Sequence, residues 1–298
     1  MTSSAGAPGR TDVVVRQAGA LCEGPLWDPR IEALIWVDIP RGIVHRLDAA
    51  TGTDVVVREV GAPVGCLALR QSGGYVAATE RGVAVAEDDW QGFEAIADLP
   101  GQAARTRTND GGCDPWGRFW VGTTALDDRP GAAALYRMAA DGTVIQVLDD
   151  VSVSNGIDWA PDASAMYYAD SGTGRVDVFD VDPSDGHVRG RRALLEIELP
   201  GAVPDGLTVD AEGFLWIALW DGGRVRRYTP DGRLDREVLL PVDRVTSVAF
   251  GGSSLDALYV TTARYGLSAT ALEGQPLAGS VFVHDPGVQG LPPNAWAG

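Results

Sequence analysis

The chain has 298 residues, 45% of them hydrophobic, and can therefore bury a large core. Its 41 acidic residues against 24 basic ones give a formal charge of −17, which argues against nucleic acid or an anionic membrane surface as a partner. No lysine occurs anywhere, which excludes Schiff-base chemistry, pyridoxal-phosphate attachment and the phosphate-binding P-loop.

Residues 1–10 are rich in Ser, Ala, Gly and Pro without the apolar centre of a signal peptide, and read as a flexible N-terminal tail. No later run is long and apolar enough to span a membrane. Cys22, Cys66 and Cys113 are isolated, supporting neither a disulfide framework nor a zinc knuckle, and their odd number fits a reducing compartment. The expected location is the cytoplasm.

Beyond residues 11–17, six β-branched and aromatic runs follow at 33–37, 74–78, 118–122, 165–169, 214–218 and 257–261. Turns rich in Asp, Pro and Gly precede them, as in Asp114-Pro115-Trp116-Gly117 and Asp210-Ala211-Glu212-Gly213. A second strand and turn come after, as at 42–47 with Thr51-Gly52 and 224–228 with Asp231-Gly232. The period is about 45 residues, with four strands in each and no sustained helical spacing. This predicts an all-β chain, a six-bladed β-propeller with four-stranded antiparallel blades around a central channel. Residues 1–298 form a single domain in this reading, and 11–17 complete the last blade so that the ring closes.

One unit recurs with that period: Glu23-Gly24-Pro25, Asn109-Asp110-Gly111, Asn155-Gly156-Ile157 and Asp205-Gly206-Leu207. Asp-Gly and Asn-Gly pairs also mark ordinary turns, but Pro25, Pro204 and the apolar residues that follow suggest strand entry. On innermost strands these side chains converge on the channel. Glu23, Asn155 and Asp205 then supply three oxygen ligands to one divalent cation, Ca²⁺, Mg²⁺, Mn²⁺, Zn²⁺ or Fe²⁺, able to polarise a carbonyl. The remaining two units, Gly65-Cys66-Leu67 and Thr246-Ser247-Val248, carry no carboxylate.

Arg107 and Asn109 lie two apart on one side of a strand, positioned to donate to polyol oxygens, unless Arg107 pairs with an acidic neighbour. Asp127 and Asp128 fall on a loop toward the pore mouth, where they orient substrate or are simply solvated. Residues 180–186 look like an EF-hand start, but the Gly falls one place late, and His45, His187 and His284 lie away from the candidate ligands. There is no G-x-S-x-G elbow, H-E-x-x-H or dinucleotide fingerprint.

Taken in order, Glu23-Gly24-Pro25-x-Trp27, Arg107-Thr108-Asn109-Asp110-Gly111, Asp114-Pro115-x-Gly117-Arg118, Ser154-Asn155-Gly156-x-Asp158-Trp159, Pro204-Asp205-Gly206, Gly222-Gly223-Arg224-Val225 and Ala297-Gly298 resemble the senescence marker protein / regucalcin / gluconolactonase family. The resemblance implies one divalent cation in the channel and hydrolysis of sugar lactones to aldonic acids. It makes Glu23, Asn155 and Asp205 the metal ligands, Asp205 also the general acid/base, and Arg107 and Asn109 the substrate-binding pair. An acidic substrate contact falls on Asp127, where Leu126-Asp127-Asp128 replaces two Glu residues and puts the sugar preference in question. The ion would polarise the lactone carbonyl while Asp205 moves the proton, with direct attack by a metal-bound hydroxide as the competing version. A phosphotriesterase-like hydrolase on the same scaffold and a non-enzymatic calcium-binding protein are the alternatives. The expected partner is a small sugar lactone, with oligomeric state, sugar and ion identity open.

Overall fold

The computed structural model describes residues 9–127 and 129–298. Six sheets succeed one another along the chain as the blades of a six-bladed β-propeller. Their innermost strands are Cys22–Asp28, Val64–Arg70, Thr106–Cys113, Ser154–Trp159, Val203–Val209 and Val245–Gly251. Each hydrogen-bonds antiparallel to a second strand containing one of the six apolar runs, such as Ala33–Asp38, Phe119–Ala125 and Leu215–Trp220. Second strands are buried almost throughout because neighbouring blades cover both faces, so their sequences read as continuous apolar runs. Trp120 and Trp216 occupy equivalent places on two of them, and both are fully buried, as is Trp36 on the first.

Two of the turns between innermost and second strands are built around an aspartate in the same way. Asp114 accepts from the backbone N–H of Trp116 (3.0 Å) and Arg118 (2.9 Å) and from Trp120 Nε1 (2.8 Å). Asp210 repeats this with Glu212 (2.9 Å), Phe214 (3.0 Å) and Trp216 Nε1 (2.9 Å). One carboxylate thus closes the turn and satisfies a buried indole that has no other partner.

The sixth blade is assembled from both ends of the chain. Thr11–Val15 forms its outermost strand, antiparallel to Val281–His284, as residues 11–17 predict. Closure removes the exposed sheet edges that an open array would leave at its ends. A pairing absent from the sequence expectations joins Ala295–Trp296 in parallel to Leu69 and Arg70 of the second blade. A short helix, Ala269–Gly274, is capped by Ser268, whose Oγ accepts from Ala271 N (3.2 Å). Residues 1–8 of the expected tail, and Asp128, lie outside the described residues. At Arg10 the chain is already engaged, its carbonyl accepting from Asp285 N (3.1 Å).

Every innermost strand breaks register with its neighbour at the repeated unit: between Glu23 and Leu26, Val64 and Cys66, Thr108 and Gly111, Ser154 and Ile157, Pro204 and Leu207, and Val245 and Ser247. These bulges twist the strand locally and re-aim its side chains. Among the described residues no helix is long and apolar enough to cross a membrane, and the three cysteines are free and buried.

Candidate active site

The bulges bring Glu23, Asn109, Asn155 and Asp205, from the first, third, fourth and fifth blades, to one cavity of about 340 Å³, with Arg107 and Ser171 also in its wall. Glu23 precedes Gly24, whose φ of +51° favours glycine, and Glu23 Oε2 accepts from the Gly24 N–H at 3.1 Å. Asp205 is 3% exposed, and its Oδ1 is buried without a hydrogen-bond partner.

Asn155 is fixed from two sides. Its Nδ2 donates to Ser171 Oγ at 2.6 Å, and its Oδ1 accepts from Asn109 Nδ2 at 3.0 Å. Ser171 in turn donates to the carbonyl of Pro204 (2.5 Å), the residue before Asp205. Asn109 sends its Nδ2 to Ser154 O as well (2.9 Å), while its Oδ1 accepts from Arg107 Nη1 (2.8 Å). Arg107, Asn109 and Asn155 thus form one hydrogen-bonded chain. Ser171 carried no sequence signal, because it sits in a turn after the second strand of its blade.

Electrostatically the site is short of positive charge. Burial pushes the Glu23 carboxyl up to about 8, helped by Asp110 and opposed by the Gly24 N–H and Arg107. Asp205 is raised well above the usual carboxylate range by burial, then by Glu23 and Asp110. Burial also raises Asp110 to about 6. Asp110 belongs to the repeated unit, but its place in the repeat assigns it no role. The bulge turns it away from Asn109, toward a second cavity of about 480 Å³ that lacks the other candidate groups. That larger space also contains Asp158, whose carboxylate is already satisfied by Val209 N (2.8 Å), Trp159 N (2.8 Å) and Thr208 Oγ1 (3.1 Å).

A divalent cation fits the donor set at the smaller cavity. Two carboxylates held near their protonated forms by burial and mutual repulsion, an oriented amide and an unpartnered Oδ1 are groups a hard cation would satisfy. Among the described residues no three His, Cys, Asp or Glu side chains form a ready metal cluster, so the third donor here would be the Asn155 amide.

Asp127 is not brought to this cavity. Its carboxylate accepts from Arg129 Nε at 3.0 and 3.1 Å and pairs with Arg105 Nε at 3.2 Å, leaving it on the surface beside the mouth.

Fold and site define a class: a six-bladed propeller whose innermost strands gather an acid, amide and guanidinium cluster around one cavity. The chain belongs to the SMP-30/gluconolactonase/LRE-like family, whose description matches residues 21–264. It is 40% identical to regucalcin of Gallus gallus over 285 residues, 93% of this chain and 95% of that one. Among solved structures it is similar to a luciferin-regenerating enzyme, at 31% identity and a TM-score of 0.89, covering 97% of this chain and 99% of the other. It is also similar to a calcium-binding protein, regucalcin, from Agrobacterium tumefaciens strain C58, at 27% identity and a TM-score of 0.90, covering 97% of each chain.

Proposed function

We propose that this chain hydrolyses a lactone ring with the help of one divalent cation, with an aldonolactone opening to its aldonic acid as the reference reaction. The observation that carries the reading is the unpartnered, buried Oδ1 of Asp205 in a cavity shared with Glu23, Asn155 and Arg107. The family description, which includes gluconolactonase, supports the reaction class.

Glu23, Asn155 and Asp205 would hold the cation, which when bound supplies Lewis acidity toward the lactone carbonyl. Arg107, braced against Asn109 and the Thr108 carbonyl, offers its remaining N–H groups to the lactone and orients the ring. Asp205 takes a proton from the attacking water and returns it to the ring oxygen as the ester C–O bond breaks. Water's oxygen ends in the new carboxyl and its proton on the new hydroxyl.

The test is a pH-indicator assay on chelator-stripped protein with each divalent ion added back, over five- and six-membered aldonolactones. Asp205→Ala should abolish ring opening and weaken cation binding. A fully active, cation-free Asp205→Ala protein would overturn the reading. The name of the Agrobacterium relative favours a second reading, a calcium-binding protein without turnover, for which the sign is tight Ca²⁺ binding with no lactone opened. The three buried, free thiols support a cytoplasmic location, which fractionation of the source cells checks.

A further inference from the structure

The polar groups of the candidate site are largely committed to one another. Both amide hydrogens of Asn109 and its oxygen are bonded within the protein, and the amide of Asn155 and the hydroxyl of Ser171 are likewise engaged. Besides the carboxylates proposed to hold the cation, what remains for a lactone is the rest of the Arg107 fork, the Thr124 hydroxyl and the polar tips of Trp220 and Tyr265. Asp127, the acidic group expected to meet sugar hydroxyls, is occupied by Arg129 and Arg105 outside the cavity. A polyhydroxylated arm would lose water's hydrogen bonds there and find few in return, which is costly.

The rest of the wall is mostly apolar surface. Leu21, Val153 and Val203 lie with two aromatic side chains, Trp220 at the end of its strand and Tyr265, which is 55% exposed. A single arginine braces the Trp220 ring and the main chain at Tyr265. The Arg244 guanidinium lies 4.6 Å from the centre of the Trp220 ring, donates to the Tyr265 carbonyl, and is itself held by Asp221 at 2.9 Å. The Tyr265 N–H adds a bond to Ala20 O at 2.8 Å. A ring held at Trp220 and a second ring on an anchored backbone at Tyr265 give an apolar substituent contact area at modest entropic cost.

We propose that Trp220 and Tyr265 are specificity-determining residues, and that the preferred lactone carries an apolar arm, alkyl or deoxygenated, rather than a hydroxylated one. This rests on the lactonase reading: Arg107 orients the ring while the aromatic pair receives the substituent.

The experiment compares kcat/KM for δ-decalactone, δ-valerolactone and glucono-δ-lactone, which share a six-membered ring, with the activating cation present. Wild-type protein should favour δ-decalactone over glucono-δ-lactone by about tenfold or more, the scale on which a hydrophobic pocket discriminates. Tyr265→Ala and Trp220→Ala should each lower the ratio of δ-decalactone to δ-valerolactone about fivefold, and Trp220→Phe should keep most of it. Tyr265 is exposed, so its variant keeps the test valid if Trp220→Ala fails to fold. Preference for glucono-δ-lactone, or a ratio unmoved by Tyr265→Ala, overturns this inference and leaves the lactonase reading standing. If no lactone is opened with any cation, both fall.

Discussion

Asn109 and Asn155 are joined side chain to side chain, Nδ2 of the first donating to Oδ1 of the second at 3.0 Å across the third and fourth blades. Because Arg107 donates to Asn109 at 2.8 Å, the link ties the group proposed to orient substrate to an amide proposed to hold the cation. Asn109 therefore acts on its neighbours, setting the direction of both.

Asn109→Ala should leave the Ser154 carbonyl and the Asn155 amide without a donor and free Arg107 to swing. Partners one step removed from a metal ligand are typically worth about 10- to 100-fold in affinity or activity. The same loss is expected here in cation affinity by calorimetry and in lactone kcat/KM. A variant that binds and turns over like the wild type would detach Asn109 from the site.

Cation binding should strengthen with pH. Without the ion the Glu23 carboxyl holds its proton up to about 8, so binding below that pH must expel it. Calorimetry in two buffers of different ionisation enthalpy should detect proton release at pH 7 and less at pH 9. Stability of the chelated protein follows the same group. Its folded pKa of about 8 lies above the ordinary 4.5, so the folded state binds more protons between those values. The contribution is full below about 4.5 and is lost as pH rises toward 8. Melting temperature should fall across that window, and added cation should restore it at the alkaline end. A flat profile for chelated protein would contradict this.

Arg227 should be among the costliest places to disturb the scaffold. It is 2% exposed, bonded to Asp210 (2.8 Å), Glu212 (2.6 Å) and Asp235 (2.9 Å), and its guanidinium lies 3.9 Å from the Phe214 ring centre. Asp210→Ala strips one buried partner and also orphans the Trp216 indole N–H. Breaking such a buried pair from one side costs about 3–5 kcal/mol. Adding Arg227→Met should cost less than its loss in the wild type, because the Asp210–Arg227 pair is already gone, although Glu212 and Asp235 then lose their shared partner. Urea unfolding of the two single variants and the double variant checks the coupling.

Second strands such as Ala33–Asp38 are legible in sequence because burial on both faces makes them continuously apolar, and a turn announces each, with an aspartate in all but the one before Tyr75–Thr79. Outermost strands are harder: Leu234–Leu239 buries only Val238, so no alternation singles it out. The six-residue helix Ala269–Gly274 is too short to show a helical period. Glu23, Asn155 and Asp205 are legible because they recur with the blade. Ser171 is not, and neither is the fate of Asp127. Arg129 two residues away is visible in the chain, but the approach of Arg105 from before the innermost strand comes only with the fold.

The glycine beside each acid or amide has a role that spacing alone does not reveal. Gly156 lies where the innermost strands of the fourth and fifth blades nearly touch, and a Cβ there would collide with the backbone nitrogen of Leu207 and crowd the Asp205 carbonyl. Leu207 Cγ is also close, but the tightest contact is with backbone, so turning a side chain cannot relieve the clash. Gly156→Ala must push Ser154–Trp159 away from Val203–Val209, and with it Asn155 from Asp205. Cation affinity and lactone kcat/KM should each fall about tenfold or more, since ligands displaced by about 1 Å leave a site too loose to work. Melting temperature should drop as well, overpacking costing about 1–3 kcal/mol. Gly274→Ala, with open space around its Cβ, is the control and should change neither. If Gly156→Ala matches that control in stability and activity, close approach of the inner strands is not what the repeated glycine serves.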